Sequence, residues 1–259
     1  MRVWAIANQK GGVGKTTTSL ALGRAMVARG LRVLLVDLDP HASLTRAFGV
    51  PSDPPPPGVV DLFGSPPPTL ESLMRPSPTE GLDFVCAQTA LATLERRSAT
   101  QPGLGLALSQ AITRHAGGHD AVLLDCPPTL GLLMVNALAA ADRLIVPTQC
   151  EPLALYGLAG MVRTGEMVEK SRQRPLPVSV IPTMYDKRTR VGRDTLAQLQ
   201  EEYRDRIWSE AVPVDTQLSN ADVLACQVFS GDMPGRAMSA YTRALDWLLA
   251  EEQAMEQAA

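Results

Sequence analysis

The run Gln9-Lys10-Gly11-Gly12-Val13-Gly14-Lys15-Thr16-Thr17-Thr18 constrains this chain more than any other stretch. Small residues ending in Gly-Lys-Thr let a backbone wrap a phosphate chain: successive N–H groups turn inward as a nest, the lysine reaches the terminal phosphates, and the threonine hydroxyl holds Mg²⁺. The flanks fit. Val3-Trp4-Ala5-Ile6-Ala7 is apolar and β-prone, and Thr17 to Arg29 carries helical spacing (Leu20, Leu22, Ala25, Met26) that stops at Gly30. Strand, loop and helix follow in the order that presents phosphates to a helix N-terminus. Gly11, Gly12, Val13, Gly14, Lys15, Thr16 and Thr17 form the expected phosphate-binding set, with Lys15 as its catalytic cation.

Short runs rich in Val, Ile and Leu recur along the chain at 3–7, 33–36, 121–124, 144–146 and 178–181, with weaker candidates near 83–86 and 210–214. Continuous apolarity without alternation marks parallel strands covered on both faces. Helical patterns lie between them, at about 16–29, 104–116, 130–141, 153–170, 190–205 and 236–252. The alternation predicts an α/β fold with a doubly wound, mostly parallel sheet and helices on both faces, and the phosphate loop after its first strand makes that expectation a P-loop NTPase. A length of 259 residues suffices for a single domain over 1–259. Ligands then bind beyond the carboxyl ends of the strands.

One segment breaks the rhythm. Ten of the 21 prolines fall between Pro51 and Pro78. Proline removes donors and stiffens the backbone, which predicts a surface loop insert at about 51–78 rather than sheet. A docking ligand for a partner groove and a stiff spacer are both open readings.

Two carboxylate motifs complete the chemistry. Val36-Asp37-Leu38-Asp39-Pro40-His41 ends the second strand, and carboxylates facing a phosphate loop need a metal or a water to manage. Asp125 follows four apolar residues and precedes Cys126-Pro127-Pro128, the usual place for a holder of the nucleotide's Mg²⁺; a helix cap is the other reading.

The string Lys-Gly-Gly-Val-Gly-Lys-Thr-Thr resembles the deviant Walker A motif of the ParA/MinD ATPases, including the Soj-type partition proteins. The resemblance implies ATP and ADP as ligands, Mg²⁺ as cofactor, and an ATPase that is weak until a partner stimulates it. It also implies that Lys10 reaches across an ATP-sandwich homodimer to the neighbour's nucleotide; a solvated cation is the alternative reading of Lys10. The Asp-x-Asp-Pro pattern resembles the family's first switch segment, which gives Asp39 the task of orienting the attacking water. Asp37 is then either near Mg²⁺ with Thr16 and Asp125 or an orienting residue for Asp39. Asp125-Cys126-Pro127-Pro128 resembles the second switch segment. Ile181–Asp186 and Val212–Asp215 resemble the strand and loop that flank adenine, which makes Met184 and Pro213 adenine neighbours or ordinary core and turn residues.

The net charge of −3 gives no whole-molecule attraction for polyanions, so any DNA contact needs a local patch. Lys187, Arg188, Arg190 and Arg193 supply one, in the region where partition proteins hold DNA. The later loop, Val212-Pro213-Val214-Asp215-Thr216-Gln217, lacks the two arginines partition proteins often carry there. Membrane cycling of the MinD kind is not expected, because the last helix ends in Glu251, Glu252 and Glu256 rather than a basic amphipathic face. Four scattered cysteines read as reduced thiols of a cytoplasmic protein. No room for a leader or an added module is expected before residue 10. The runs 1–5, 37–41, 90–96 and 213–216 resemble the ParC-like members of polar chemotaxis systems. That subgroup implies a chemotaxis array as cargo, a protein activator or polar anchor as partner, and a polar location; partition of a plasmid or chromosome through DNA is the alternative.

Overall fold

A computed structural model describes residues 1–97, 104–115, 118–172, 174–219, 221–226 and 235–258. Its strands are β1 (Arg2–Ile6), β2 (Val33–Asp37), β3 (Met74–Pro76), β4 (Leu82–Val85), β5 (Ala121–Asp125), β6 (Arg143–Gln149) and β7 (Val178–Thr183). The helices are α1 (Lys15–Val27), α2 (Ser43–Ala47), α3 (Leu91–Arg97), α4 (Ala107–Arg114), α5 (Leu132–Ala140), α6 (Pro152–Arg172), α7 (Arg190–Glu202), α8 (Ala221–Cys226) and α9 (Arg236–Ala258). One sheet runs in the order β3-β4-β2-β5-β1-β6-β7, parallel throughout except for β3.

The apolar runs are explained by their two-sided burial. Val3 and Ala5 enter the same core as Leu34, Val36, Leu124 and residues of α4, α5 and α6. Trp4 and Ile6 point the other way, into a core built with Val33 and Leu35 of β2, with Leu20 and Met26 of α1, and with Tyr241, Leu245 and Leu248 of α9. Alternate side chains of one strand thus feed opposite layers, and neither face is left for polar residues.

Two expectations are corrected. The insert at 51–78 is not only surface loop. Met74–Pro76 adds an antiparallel edge strand, and Val59, Leu62, Leu70 and Leu73 are buried in the core. Proline is tolerated in β3 because an edge strand has a side that donates to no neighbour. The weak strand expected at 210–214 is not formed: buried Val212 donates its N–H to the Pro182 carbonyl of β7 at 2.8 Å, but the segment goes no further than an isolated bridge between Tyr185 and Pro213. The helix expected at 104–116 opens with a 3₁₀ turn over Leu104–Leu106, and residue 116 lies outside the described residues.

The acidic end of α9 has a structural use. Arg143, 1% exposed at the start of β6, donates to Glu251 at 2.8 Å and to Ser179 at 2.5 Å. Glu252 accepts from Trp4 Nε1 and Arg2 Nε, both at 2.7 Å. These carboxylates fasten the helix to the amino ends of the strands, opposite the loop that follows β1. Among the described residues no helix is long and apolar enough to cross a membrane.

Candidate functional site

The loop after β1 enters α1 through two glycines in left-handed backbone, Gly12 (φ 76°) and Gly14 (φ 89°). A side chain at either position would strain the turn, so the sequence's small residues are required there. Lys15, the first residue of α1, is 8% exposed, and its Nζ donates to the Lys10 carbonyl at 3.2 Å. The ammonium is therefore folded back over the loop it must serve. Burial lowers its pKa, and the Asp125 and Asp39 carboxylates work against that shift.

Asp37 and Asp125 are direct neighbours in the parallel register of β2 and β5. Both are essentially inaccessible. Burial, with the Asp37 charge next, pushes the Asp125 carboxyl up to about 8; burial also pushes Asp37 up to about 6 against its hydrogen bonds. Two adjacent buried anions repel, and a divalent cation held nearby by hard oxygen donors relieves that repulsion. Thr16 Oγ1 donates to Asp125 Oδ2 at 2.7 Å and Ser19 Oγ to its Oδ1 at 3.1 Å. The Thr16–Asp125 pair fits a Mg²⁺ site: the two residues would hold the ion, which would supply charge neutralisation beside the phosphates.

Asp37 has another task. Its Oδ2 accepts from Thr45 N (2.8 Å) and Thr45 Oγ1 (2.7 Å), and its Oδ1 accepts from Asp39 N (3.1 Å). Of the two uses open to it, the geometry is that of orienting Asp39 and the start of α2. It is not among the residues that line the cavity.

That cavity, about 810 Å³, opens at the carboxyl ends of the strands. Gly11, Gly12, Gly14, Lys15, Thr16, Thr17 and Asp39 line one part, and Met184, Pro213, Val214 and Tyr241 another. Val13 is fully buried, with its carbonyl accepting from Thr183 Oγ1 at 2.9 Å, and so anchors the loop to β7. Met184 takes a left-handed backbone (φ 53°) at the end of β7. Thus both residues expected beside a base share a cavity with the phosphate loop.

Lys10 does not line this cavity. Its Nζ is ion-paired with Glu151, just before α6, and its Cβ lies 3.3 Å from where a side chain at Gly157 would begin. Arg188 is held bidentate by Asp186, which lowers that carboxyl to about 2, and Arg190 pairs with Asp194. The basic cluster of the sequence is therefore partly neutralised by its own acids.

Motif spacing alone does not single out Ser19, His41 or Glu151. Ser19 lies three residues after Thr16 on α1, a spacing that faces both toward β5. His41 and Glu151 leave only the weaker signal of following a strand's carboxyl end. Glu95 of α3 also belongs here, since its carboxylate accepts from Leu132 N and Leu133 N and caps α5, which follows the Asp125–Pro128 segment.

The family model described as AAA domain matches residues 1–178. The sporulation initiation inhibitor protein Soj of Bacillus subtilis is 35% identical over 221 residues, 85% of this chain and 87% of that protein. The chromosome partitioning protein ParA of Caulobacter vibrioides is 33% identical over 256 residues, 98% of this chain and 96% of its own. Among solved structures, cobyrinic acid a,c-diamide synthase from Mycobacterium smegmatis with bound ATP analog and magnesium superposes with a TM-score of 0.82. It is 34% identical and the match covers 98% of this chain and 96% of that one. The chain belongs to the ParA/Soj family of P-loop ATPases.

Proposed function

We propose that this ParA/Soj-family chain is an ATP-hydrolysing switch that dimerises on nucleotide and partitions DNA. One observation carries the chemistry: the phosphate loop, Asp39 and Thr16, with Asp125 hydrogen-bonded behind it, converge on one cavity, while a second loop cation, Lys10, stands outside it. The loop N–H groups and Lys15 would bind the phosphates, and Thr16 with Asp125 would hold Mg²⁺, which supplies charge neutralisation when bound. Asp39 aims the water. No strong base is needed, since phosphoryl transfer depends mainly on positioning and charge stabilisation.

Lys10 is proposed to serve the nucleotide of a second copy. In the single chain it is tied to Glu151, and exposed Leu153 and Tyr156 on the first turns of α6 stand nearby in sequence, an apolar face suited to a partner. Chemistry completed only on dimerisation is slow in the monomer and open to control. Lys15→Ala should lose nucleotide binding, Lys10→Ala should bind ATP yet stay monomeric, and Asp39→Ala should hold ATP and accumulate dimer. Size-exclusion profiles with Mg-ATP test all three, and a Lys10→Ala protein that dimerises normally removes the trans role.

The partitioning relatives favour DNA over a chemotaxis array as the cargo. Contact would come from Lys187, Arg188, Arg190 and Arg193, in competition with Asp186 and Asp194. An ATP-dependent shift of random duplex at low salt, lost in Arg188→Ala with Arg190→Ala, is the expected result. The name of the Mycobacterium smegmatis structure favours a second reading, amidation of a small carboxylic acid. Phosphate release that requires such an acid and an amide donor would establish it; release from ATP and Mg²⁺ alone supports the switch.

A further inference from the structure

We infer that His41 is a positioning residue for Asp39, clamping one carboxylate oxygen so that the other is left to aim the attacking water. The inference rests on the proposed role of Asp39 and adds a residue to it. Asp39 Oδ1 accepts twice from the same neighbour, from His41 N at 2.9 Å and from His41 Nδ1 at 2.9 Å. Among the described residues no hydrogen bond to Oδ2 accompanies them. An aspartate held only through its backbone turns freely about its terminal torsion; two donors on one oxygen remove that freedom.

The segment is built to bring the ring back onto the carboxylate. Asp37 fixes the Asp39 N–H from behind. Pro40 locks its own φ, and Ala42 takes a left-handed conformation (φ 53°) while its N–H returns to the Asp39 carbonyl at 2.7 Å. A non-glycine residue in that region costs energy and persists where the surroundings demand it. The result is a tight knot with His41 at its tip. Both His41 and Asp39 line the phosphate cavity.

Charge fixes the tautomer. A nitrogen facing an anionic oxygen must carry the proton, so Nδ1 is the donor. His41 is largely exposed, and its ring is held by this contact rather than by packing. The ring therefore works through Asp39 and pairs with no other acid among the described residues.

Mg-ATP hydrolysis by His41→Ala, His41→Asn, Asp39→Ala and the double variant Asp39→Ala/His41→Ala tests the assignment. Losing one charge-assisted bond should lower kcat of His41→Ala about 10-fold and leave KM within about 2-fold. His41→Asn keeps an N–H at the reach of Nδ1 and should recover most of kcat. The double variant should be no slower than Asp39→Ala. In ¹⁵N spectra the imidazole should be the Nδ1–H form in the parent and lose that preference in Asp39→Ala, a readout independent of turnover. Unchanged kcat in His41→Ala, or no recovery in His41→Asn, overturns the inference while leaving Asp39 in place. Full hydrolysis by Asp39→Ala would instead overturn the reading on which the inference rests.

Discussion

Lys10 Nζ and the Glu151 carboxylate form an ion pair that joins the phosphate loop to the residue ahead of α6. The pair competes with any phosphate that a second copy brings. If Lys10 serves the neighbour's nucleotide, each dimer must break two such pairs. A partly exposed pair is worth roughly 0.2–1 kcal/mol, so releasing both should tighten dimerisation by about 2- to 30-fold. Glu151→Gln in the Asp39→Ala background should therefore dimerise at lower protein concentration in sedimentation velocity with Mg-ATP. The gain should vanish when Lys10→Ala is added.

Asp37 and Asp125 predict a pH dependence whose sign follows from burial. Both carboxyls are raised from 3.8, Asp125 to about 8. The folded chain thus binds more protons than the unfolded chain between those values, and stability falls as pH rises through that window. Asp125→Asn removes one of the paired charges. Thermal melts of the nucleotide-free protein at about pH 5 and about pH 8 should differ less in the variant than in the parent. Its Mg-dependent hydrolysis should drop by about 100-fold if Asp125 serves the ion as proposed.

A hydrogen-bonded chain fastens the proline-rich insert to the sheet edge. Glu71 Oε1 meets His115 Nδ1 at 2.5 Å, His115 Nε2 meets His119 Nδ1 at 3.0 Å, and His119 Nε2 meets Asp83 Oδ2 at 3.0 Å. His115→Ala leaves a void and two partners unmatched, at a cost of about 1–3 kcal/mol. The midpoint of denaturant unfolding should fall accordingly, while nucleotide affinity stays within about 2-fold, since none of the four residues lines the cavity.

Arg143 is buried and relies on Glu251. Glu251→Ala removes the close carboxylate from a buried guanidinium, leaving it Ser179 and the more distant Glu252 at 3.9 Å, and should cost about 1–3 kcal/mol in chemical denaturation. Adding Arg143→Met removes the poorly compensated charge and should restore part of the loss. A Glu251→Ala protein as stable as the parent would mean that the acidic end of α9 does not hold the helix.

Local order is legible in the sequence, and long-range pairing is not. Gly12 and Gly14, Lys15 and Thr16 act within one turn of chain, so their spacing alone announces the phosphate loop. The runs at β1, β2, β5, β6 and β7 declare two-sided burial because they are apolar without alternation. The edge strand Met74–Pro76 stays hidden, since its prolines argue against sheet and only β4 makes a place for it.

The amino-acid order determined the five apolar strands, the phosphate loop and the identity of the acids around it. Which acid does what was decided by tertiary structure. Strand order sets Asp37 beside Asp125, and chain folding brings Glu151 to Lys10 from a distant part of the sequence. Such pairs leave no periodic trace, because their partners are chosen by the packing of separate elements and not by backbone geometry within one.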